Sequence, residues 1–232
     1  MDAMILAAGL GTRLGDVTRD TPKALVEVAG RTALEHVAGR LIAAGADRII
    51  INVHHHAPRI IEHVEQHAGF GVDVVFSREE AAPLETGGGL LRAAPYLRRD
   101  QPFFLHNVDV LCNADLATMY AAHSSSQHLA TLAVSRRSTS RYLVFDGGRL
   151  TGRSDARTGK QHVAFAGIHV ISPAMLERIS ETGAFSIMDV YMRLAAAGEH
   201  IGAHDISSAT WLEIGTPERL EAARQVLGSS SW

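Results

Sequence analysis

The sequence predicts an α/β fold, a doubly wound and mostly parallel sheet with a C-terminal hairpin-and-strand elaboration. Three observations carry that prediction. Short apolar runs alternate with helical patterns as far as residue 135, the mark of right-handed βαβ units. The first apolar run opens into a loop of small residues, Ala7-Ala8-Gly9-Leu10-Gly11. After residue 140 the spacing changes, and Asp146-Gly147-Gly148 separates two short runs as a hairpin turn would.

The elements follow in order. Met4–Leu6 is apolar and short, a buried strand. Thr32 with Glu35 three residues later is a capping box, and Leu34, Val37 and Leu41 continue at helical spacing to about Ala44. Arg48–Val53 is a continuous apolar run, as in a strand covered on both faces. A helix is expected over 57–68, a strand over 72–76, a helix over 87–97 and a strand over 103–106. A helix over 115–123 and a strand over 129–134 complete the first half. In the second half, 142–145 and 149–152 form the hairpin and 161–171 a longer strand. Ser172-Pro173 starts a capped helix. Residues 186–197 are helical, 200–206 an edge strand, 211–214 a short extended piece, and Thr216-Pro217-Glu218 opens the last helix. The tail from 228 to 232 is expected to fray. Repeats, linkers and low-complexity stretches are absent, so residues 1–232 read as a single domain with halves 1–135 and 136–228.

Composition removes several function classes. The 232 residues are 46% hydrophobic and 20% charged, ample for one sizeable core. A net charge of −3 gives no general pull toward nucleic acid or an anionic membrane. There is no 18-residue apolar run and no basic-then-apolar leader, and Cys112 is the only cysteine. A cytoplasmic protein, monomeric or homodimeric, is the expectation.

The chemistry concentrates between residues 4 and 25. Gly9 and Gly11 let backbone N–H groups approach a phosphate closely. Arg13 adds a fork of donors, and Lys23, ten residues on, a point charge. As a dinucleotide fingerprint the stretch fails. Leu14 stands where the third glycine belongs, and the next strand ends at His54 rather than at an acid. The G-x-x-x-x-G-K-[ST] phosphate loop is absent too. Asp109 follows a buried strand in Asn107-Val108-Asp109-Val110, where a carboxylate can hold Mg²⁺ together with substrate phosphates. Leu84-Glu85-Thr86-Gly87-Gly88-Gly89 opens a helix whose N–H groups could meet an anion or a base edge.

These segments together resemble the sugar-phosphate nucleotidyltransferases. Gly9, Gly11, Arg13, Thr18, Pro22 and Lys23 fall in register with that family's signature, L-A-A-G-x-G-x-R-h-x-P-h-T-x-x-x-P-K. Trp211-Leu-Glu213-Ile-Gly-Thr216-Pro resembles its W-x-D-x-G-T-P segment, and Phe165-Ala-Gly167-Ile168 a segment near the sugar. The resemblance implies a Rossmann-like fold of the nucleotide-diphospho-sugar transferase type, acting on an NTP and a sugar 1-phosphate with Mg²⁺. It implies that Leu6, Ala8, Gly9, Gly11, Thr12, Arg13, Lys23, Glu80, Thr86, Gly87 and Asn107 bind the nucleotide. Val108, Gly167 and Glu213 would meet the sugar phosphate, and Asp109 and Glu213 the metal. Arg13, Lys23 and Asp109 would serve catalysis. The L-E-T-G-G-G form leans toward uridylyl transfer to an N-acetylmuramate 1-phosphate, although Glu80 would suit guanine as well. Three departures stand out: Gly15 for proline, Val108 for glycine and Glu213 for aspartate. A nucleotide-sugar sensor without catalysis and an NAD-dependent dehydrogenase are the readings from other classes.

Other residues read as ordinary structure. His54-His55-His56 are loop residues, since strand side chains alternate and cannot share one metal. His63 and His67 belong to a solvated helix face and Cys112 to the interior; Arg136 and Arg137, near Arg141, fit a solvated turn or contact with a substrate anion, and the turn is preferred.

Overall fold

A computed structural model describes residues 1–159 and 161–228. Strand β1 (Asp2–Leu6) is followed by a separate two-stranded ribbon, β2 (Glu27–Val28) with β3 (Arg31–Thr32); β1 itself lies between β4 (Arg48–Val53) and β6 (Phe103–Asn107), and β5 (Asp73–Arg78) extends this parallel group beyond β4. Side chains on these strands alternate between the two faces. Ile49, Ile51 and Val53 enter one core cluster and Ile50 the other. Helices α1 (Ala33–Ala43) and α2 (Ala57–Gln66) cover the first face, and α3 (Glu85–Ala93) the second. The capping box forms as the sequence predicts: the Glu35 N–H donates to Thr32 Oγ1, and the Thr32 N–H to the Glu35 carboxylate.

Beyond β6 the sheet becomes mixed rather than mostly parallel. Strand β11 (His162–Ile171) runs antiparallel to β6 on one side and to β8 (Ala130–Ser135) on the other. The hairpin β9 (Tyr142–Asp146) and β10 (Arg149–Ser154) closes the far end of a nine-stranded sheet. Helices α4 (Leu116–Ser124) and α6 (Pro217–Gly228) join the first face, and α5 (Ile187–Ala196) the second.

Four expectations change. Strand β12 (Ile201–Asp205) is not an edge: it lies parallel to β8 and touches β10 at Gly202. It can lie there because Gly202 has no Cβ; one would stand 2.2 Å from the His128 ring. Ser172 does not cap a helix. Its hydroxyl donates to the His128 carbonyl, and the segment after it is 3₁₀. A short strand β7 (Val110–Cys112) pairs with β13 (Trp211–Glu213), and three residues were too few for a periodic signal. His63 is half-buried and approaches the Glu35 carboxylate at 3.5 Å, while His67 reaches it at 3.7 Å and stays exposed as expected. The tail beyond Gly228 lies outside the described residues. No helix among the described residues is long and apolar enough to cross a membrane.

Three of the four buried histidines lie deepest within this frame. His169 Nδ1 meets the Tyr191 hydroxyl at 2.8 Å, His123 lies between Thr131 and Ser172, and His106 Nδ1 meets the Asn107 carbonyl. Burial pushes all three below the usual imidazole range, His106 and His123 to about 4 and His169 to about 3.

Candidate active site

Parallel strands of a doubly wound sheet point their carboxyl ends at one crevice. Leu6 closes β1, Asn52 sits near the end of β4, Glu79 follows β5 and Asn107 closes β6. These residues line a cleft of about 340 Å³ together with Ala8, Gly9, Lys23, Thr86, Val108 and Asp109. A second hollow, of about 600 Å³, holds Arg13, Gly167, Trp211 and Glu213. The two share Asn107 and Asp109.

The loop after β1 is shaped by its glycines. Gly11 has φ +68°, and the Thr18 hydroxyl donates to its carbonyl at 2.8 Å. Gly15 has φ +57° and ψ −127°, which a proline, locked near −65°, cannot adopt. The departure expected at Gly15 falls one residue on, however: with Arg13 and Thr18 in register, the proline of the signature is replaced by Asp16. Lys23 is carried inward by the following 3₁₀ turn, and its ammonium pairs with the Asp109 carboxylate. The pair is mostly enclosed, with side chains 12% and 18% exposed. Residues 86 apart in sequence thus meet at the seam of the two hollows.

Pairing of β7 with β13 brings the second acid alongside. Glu213 stands opposite Val110, and the Ile214 N–H donates to the Asp109 carbonyl at 3.0 Å. The Glu213 carboxylate is held from both sides, by Arg219 and by Arg13 at 3.6 Å. Gly215 leaves it room, since a Cβ there would lie 2.0 Å from Glu213 Oε1. Gly167, at φ +79°, fits closely under Asn107 and Val110; a Cβ would lie 2.8 Å from Val110 Cγ2. Val108 lines the first cleft and also packs into the core.

The glycine-rich helix start works differently from expectation. The Gly87 N–H donates to the Phe185 carbonyl at 2.9 Å, so it is already used. Cβ atoms at Gly87 and Gly88 would stand 2.3 Å from the Phe185 ring and 2.4 Å from the Gly183 carbonyl oxygen. These glycines permit close packing of α3 on the segment 183–186. Thr86 lines the cleft while its hydroxyl accepts from the Ile187 N–H.

Glu80 does not reach the cleft. It is exposed and lines a neighbouring hollow with His54, His55 and His56. Its neighbour Glu79 is the buried acid there, accepting from Asn52 Nδ2 and from the Leu84 N–H, each at 2.7 Å. Thr12 is exposed and lines neither hollow. Sequence reasoning missed Asn52, Glu79, Glu85 and Ser186, all of which line the first cleft. A signal existed for the first two, because polar residues at the carboxyl ends of buried parallel strands stand at the ligand crevice. Glu85 holds φ +58°, a left-handed backbone costly for glutamate.

Comparison with known proteins agrees with this geometry. A family profile described as nucleotidyl transferase matches residues 2–229. The N-acetylmuramate alpha-1-phosphate uridylyltransferase of Caulobacter vibrioides is 31% identical over 239 residues, covering 98% of this chain and 97% of the relative. The enzyme of that name from Neisseria meningitidis is 31% identical, covering 99% of each chain. Among solved structures, HddC from Yersinia pseudotuberculosis complexed with GMP-PN superposes with a TM-score of 0.78 at 26% identity, over 97% of this chain and 98% of that one. A Lys–Asp pair at the mouth of a glycine-turned loop, a second acid on the adjoining strand and whole-length similarity lead to one conclusion: this chain belongs to the nucleotidyl transferase family, enzymes that join nucleotides to sugar phosphates.

Proposed function

We propose that the chain transfers the uridylyl group of UTP to an N-acetylmuramate 1-phosphate-like acceptor, releasing pyrophosphate. The observation carrying this reading is the seam itself, where Lys23 and Asp109 stand at the junction of two hollows. The first hollow takes the nucleotide, with Gly9 and Lys23 toward its phosphates and Glu79 and Thr86 toward its base. The second takes the acceptor.

A phosphate oxygen of the acceptor attacks the α-phosphorus in line, the bond from that phosphorus to the bridging oxygen breaks, and pyrophosphate leaves. The attacking oxygen is already ionised, so no base is needed. Catalysis is then positioning and charge neutralisation, with Lys23 and Arg13 facing the phosphates. Asp109 and Glu213 fit a divalent cation: both are carboxylates on the second hollow, and an all-oxygen donor set suits Mg²⁺. Bound there, the cation would neutralise charge on the reacting phosphates.

The choice of UTP and of an N-acetylmuramate acceptor leans on the relatives of that name and on the Leu84–Gly89 segment. A guanylyl- or cytidylyltransferase acting on another sugar 1-phosphate or on phosphocholine is the second reading, favoured by the guanine nucleotide in HddC. The test is Mg²⁺-dependent pyrophosphate release with each of the four NTPs against a panel of sugar 1-phosphates. Turnover is expected with UTP and N-acetylmuramate 1-phosphate. Turnover confined to another pair moves the assignment to that pair. NTP binding without pyrophosphate release from any pair refutes catalysis.

A further inference from the structure

A third hollow, of about 280 Å³, adjoins the second where β9 pairs with β11, and is lined by Tyr142, Leu143 and Met188. Arg137, Thr139, Arg141 and Phe165 belong to both. Asp109 lines the second hollow and not the third, so the third lies beyond that acid and the shared wall faces both.

The cations around these hollows differ in one respect. Arg13 and Arg219 are neutralised by Glu213, and Arg153 by Asp189 at 3.1 Å. Arg137 and Arg141 have no carboxylate partner among the described residues. Arg137 is nonetheless fixed: its guanidinium lies 3.9 Å over the Trp211 ring, and one Nη2 donates to the Phe165 carbonyl at 2.7 Å. Its Nε is buried without a partner. Burial and the charge of Arg219 disfavour its charged form. Holding a half-desolvated guanidinium without a counter-charge is costly, and an incoming anion offsets that cost. A guanidinium held over an indole presents its remaining N–H groups for two-point recognition of a planar anion.

We infer that Arg137 and Arg141 form a carboxylate subsite, so that the acceptor is an acidic sugar whose second negative group binds there, away from the 1-phosphate. This rests on the nucleotidyl-transfer reading and adds the residues that select the acceptor. Thr139 supplies a hydroxyl to the same wall. Of the arginines expected on a solvated turn, Arg136 and Arg141 are exposed, and Arg137 is packed in.

The test compares N-acetylmuramate 1-phosphate with N-acetylglucosamine 1-phosphate, which lacks the 3-O-lactyl group and with it the carboxylate. Glucose 1,6-bisphosphate serves as an acceptor whose second anion is a phosphate. Wild-type enzyme is expected to prefer the first. In Arg141→Gln, and in Arg137→Met, which keeps the stem over Trp211, the kcat/KM ratio of acidic to neutral acceptor should fall about 10- to 100-fold. Arg141 is exposed and its guanidinium makes no hydrogen bond or ion pair among the described residues, so that variant folds and decides the matter if the other does not. Equal losses on both acceptors would mean that the arginines hold the shared 1-phosphate, and would overturn the inference. So would a wild-type preference for the neutral sugar or for the bisphosphate. If no pair turns over, the nucleotidyl-transfer reading fails, and calorimetric binding of the same acceptors decides the subsite by the same ratio.

Discussion

Removing Lys23 separates its role toward substrate from its role toward Asp109. In Lys23→Ala, the Asp109 carboxylate, 18% exposed, loses its ion-pair partner. Partial hydration limits the stability cost to about 1–2 kcal/mol. For a chain of this size that lowers Tm by about 2–8 °C. Loss of one preorganised donor to a charged transition state costs about 10²–10³ in rate, or about 3–4 kcal/mol of barrier. The kinetic loss therefore exceeds the stability loss, and the variant remains folded while nearly inactive. The assay is pyrophosphate release alongside a thermal melt, repeated for Asp109→Ala and for the double variant. Groups acting as a unit lose about as much together as singly. A Lys23→Ala rate within about threefold of wild type would refute the reasoning. Multiplicative losses in the double variant would show that the two groups act apart.

Three further outcomes are expected. Gly88→Ala puts a Cβ 2.4 Å from the Gly183 carbonyl and should cost about 1–3 kcal/mol, read as a lower urea midpoint; an unchanged midpoint would show that the 183–186 segment moves freely. Val108→Gly removes a side chain shared by cleft and core, so it should lower Tm while widening the range of acceptors used; an unchanged range would show that Val108 does not bound the substrate. Stability should fall in acid. His106, His123 and His169 have folded-state values below the unfolded value of about 6.5, so their contribution is full above that pH and is lost as pH falls toward about 4 and 3. Each group adds about 1.4 kcal/mol of loss per pH unit in that window, and a urea midpoint as high at pH 5.5 as at 7.5 would contradict it.

The first half was legible because each element carried its own local signal. The Thr32–Glu35 box and the run Arg48–Val53 needed no distant partner to be recognised. The site was legible where a chemical type coincides with a strand end, as at Asp109, or with a spaced motif, as at Lys23. It was illegible where the decision belongs to packing. Glu79 and Glu80 are adjacent acids, and only the direction of the chain after β5 turns the first inward. Gly87 and Gly88 read equally well as N–H donors or as close-packing positions, and Phe185 and Gly183, about a hundred residues on, decide for packing. Arg137 lacked any local sign of its stacking on Trp211, a partner in another segment altogether.

Strand β11 has a consequence for synthesis of the chain. It supplies the hydrogen-bonding partner for the outer edge of β6, through Ile168 to Ile171 against His106 to Phe103. As the ribosome emits the chain, the parallel strands β1, β4, β5 and β6 are complete by residue 107, yet the flank of β6 stays open until residue 171 has emerged. An apolar, unpaired strand flank is a template for pairing between chains. The nascent protein is thus most exposed to aggregation during that interval of synthesis. Expression at lower temperature, or with a chaperone that shields open strands, should raise the soluble yield more than any change in the finished fold.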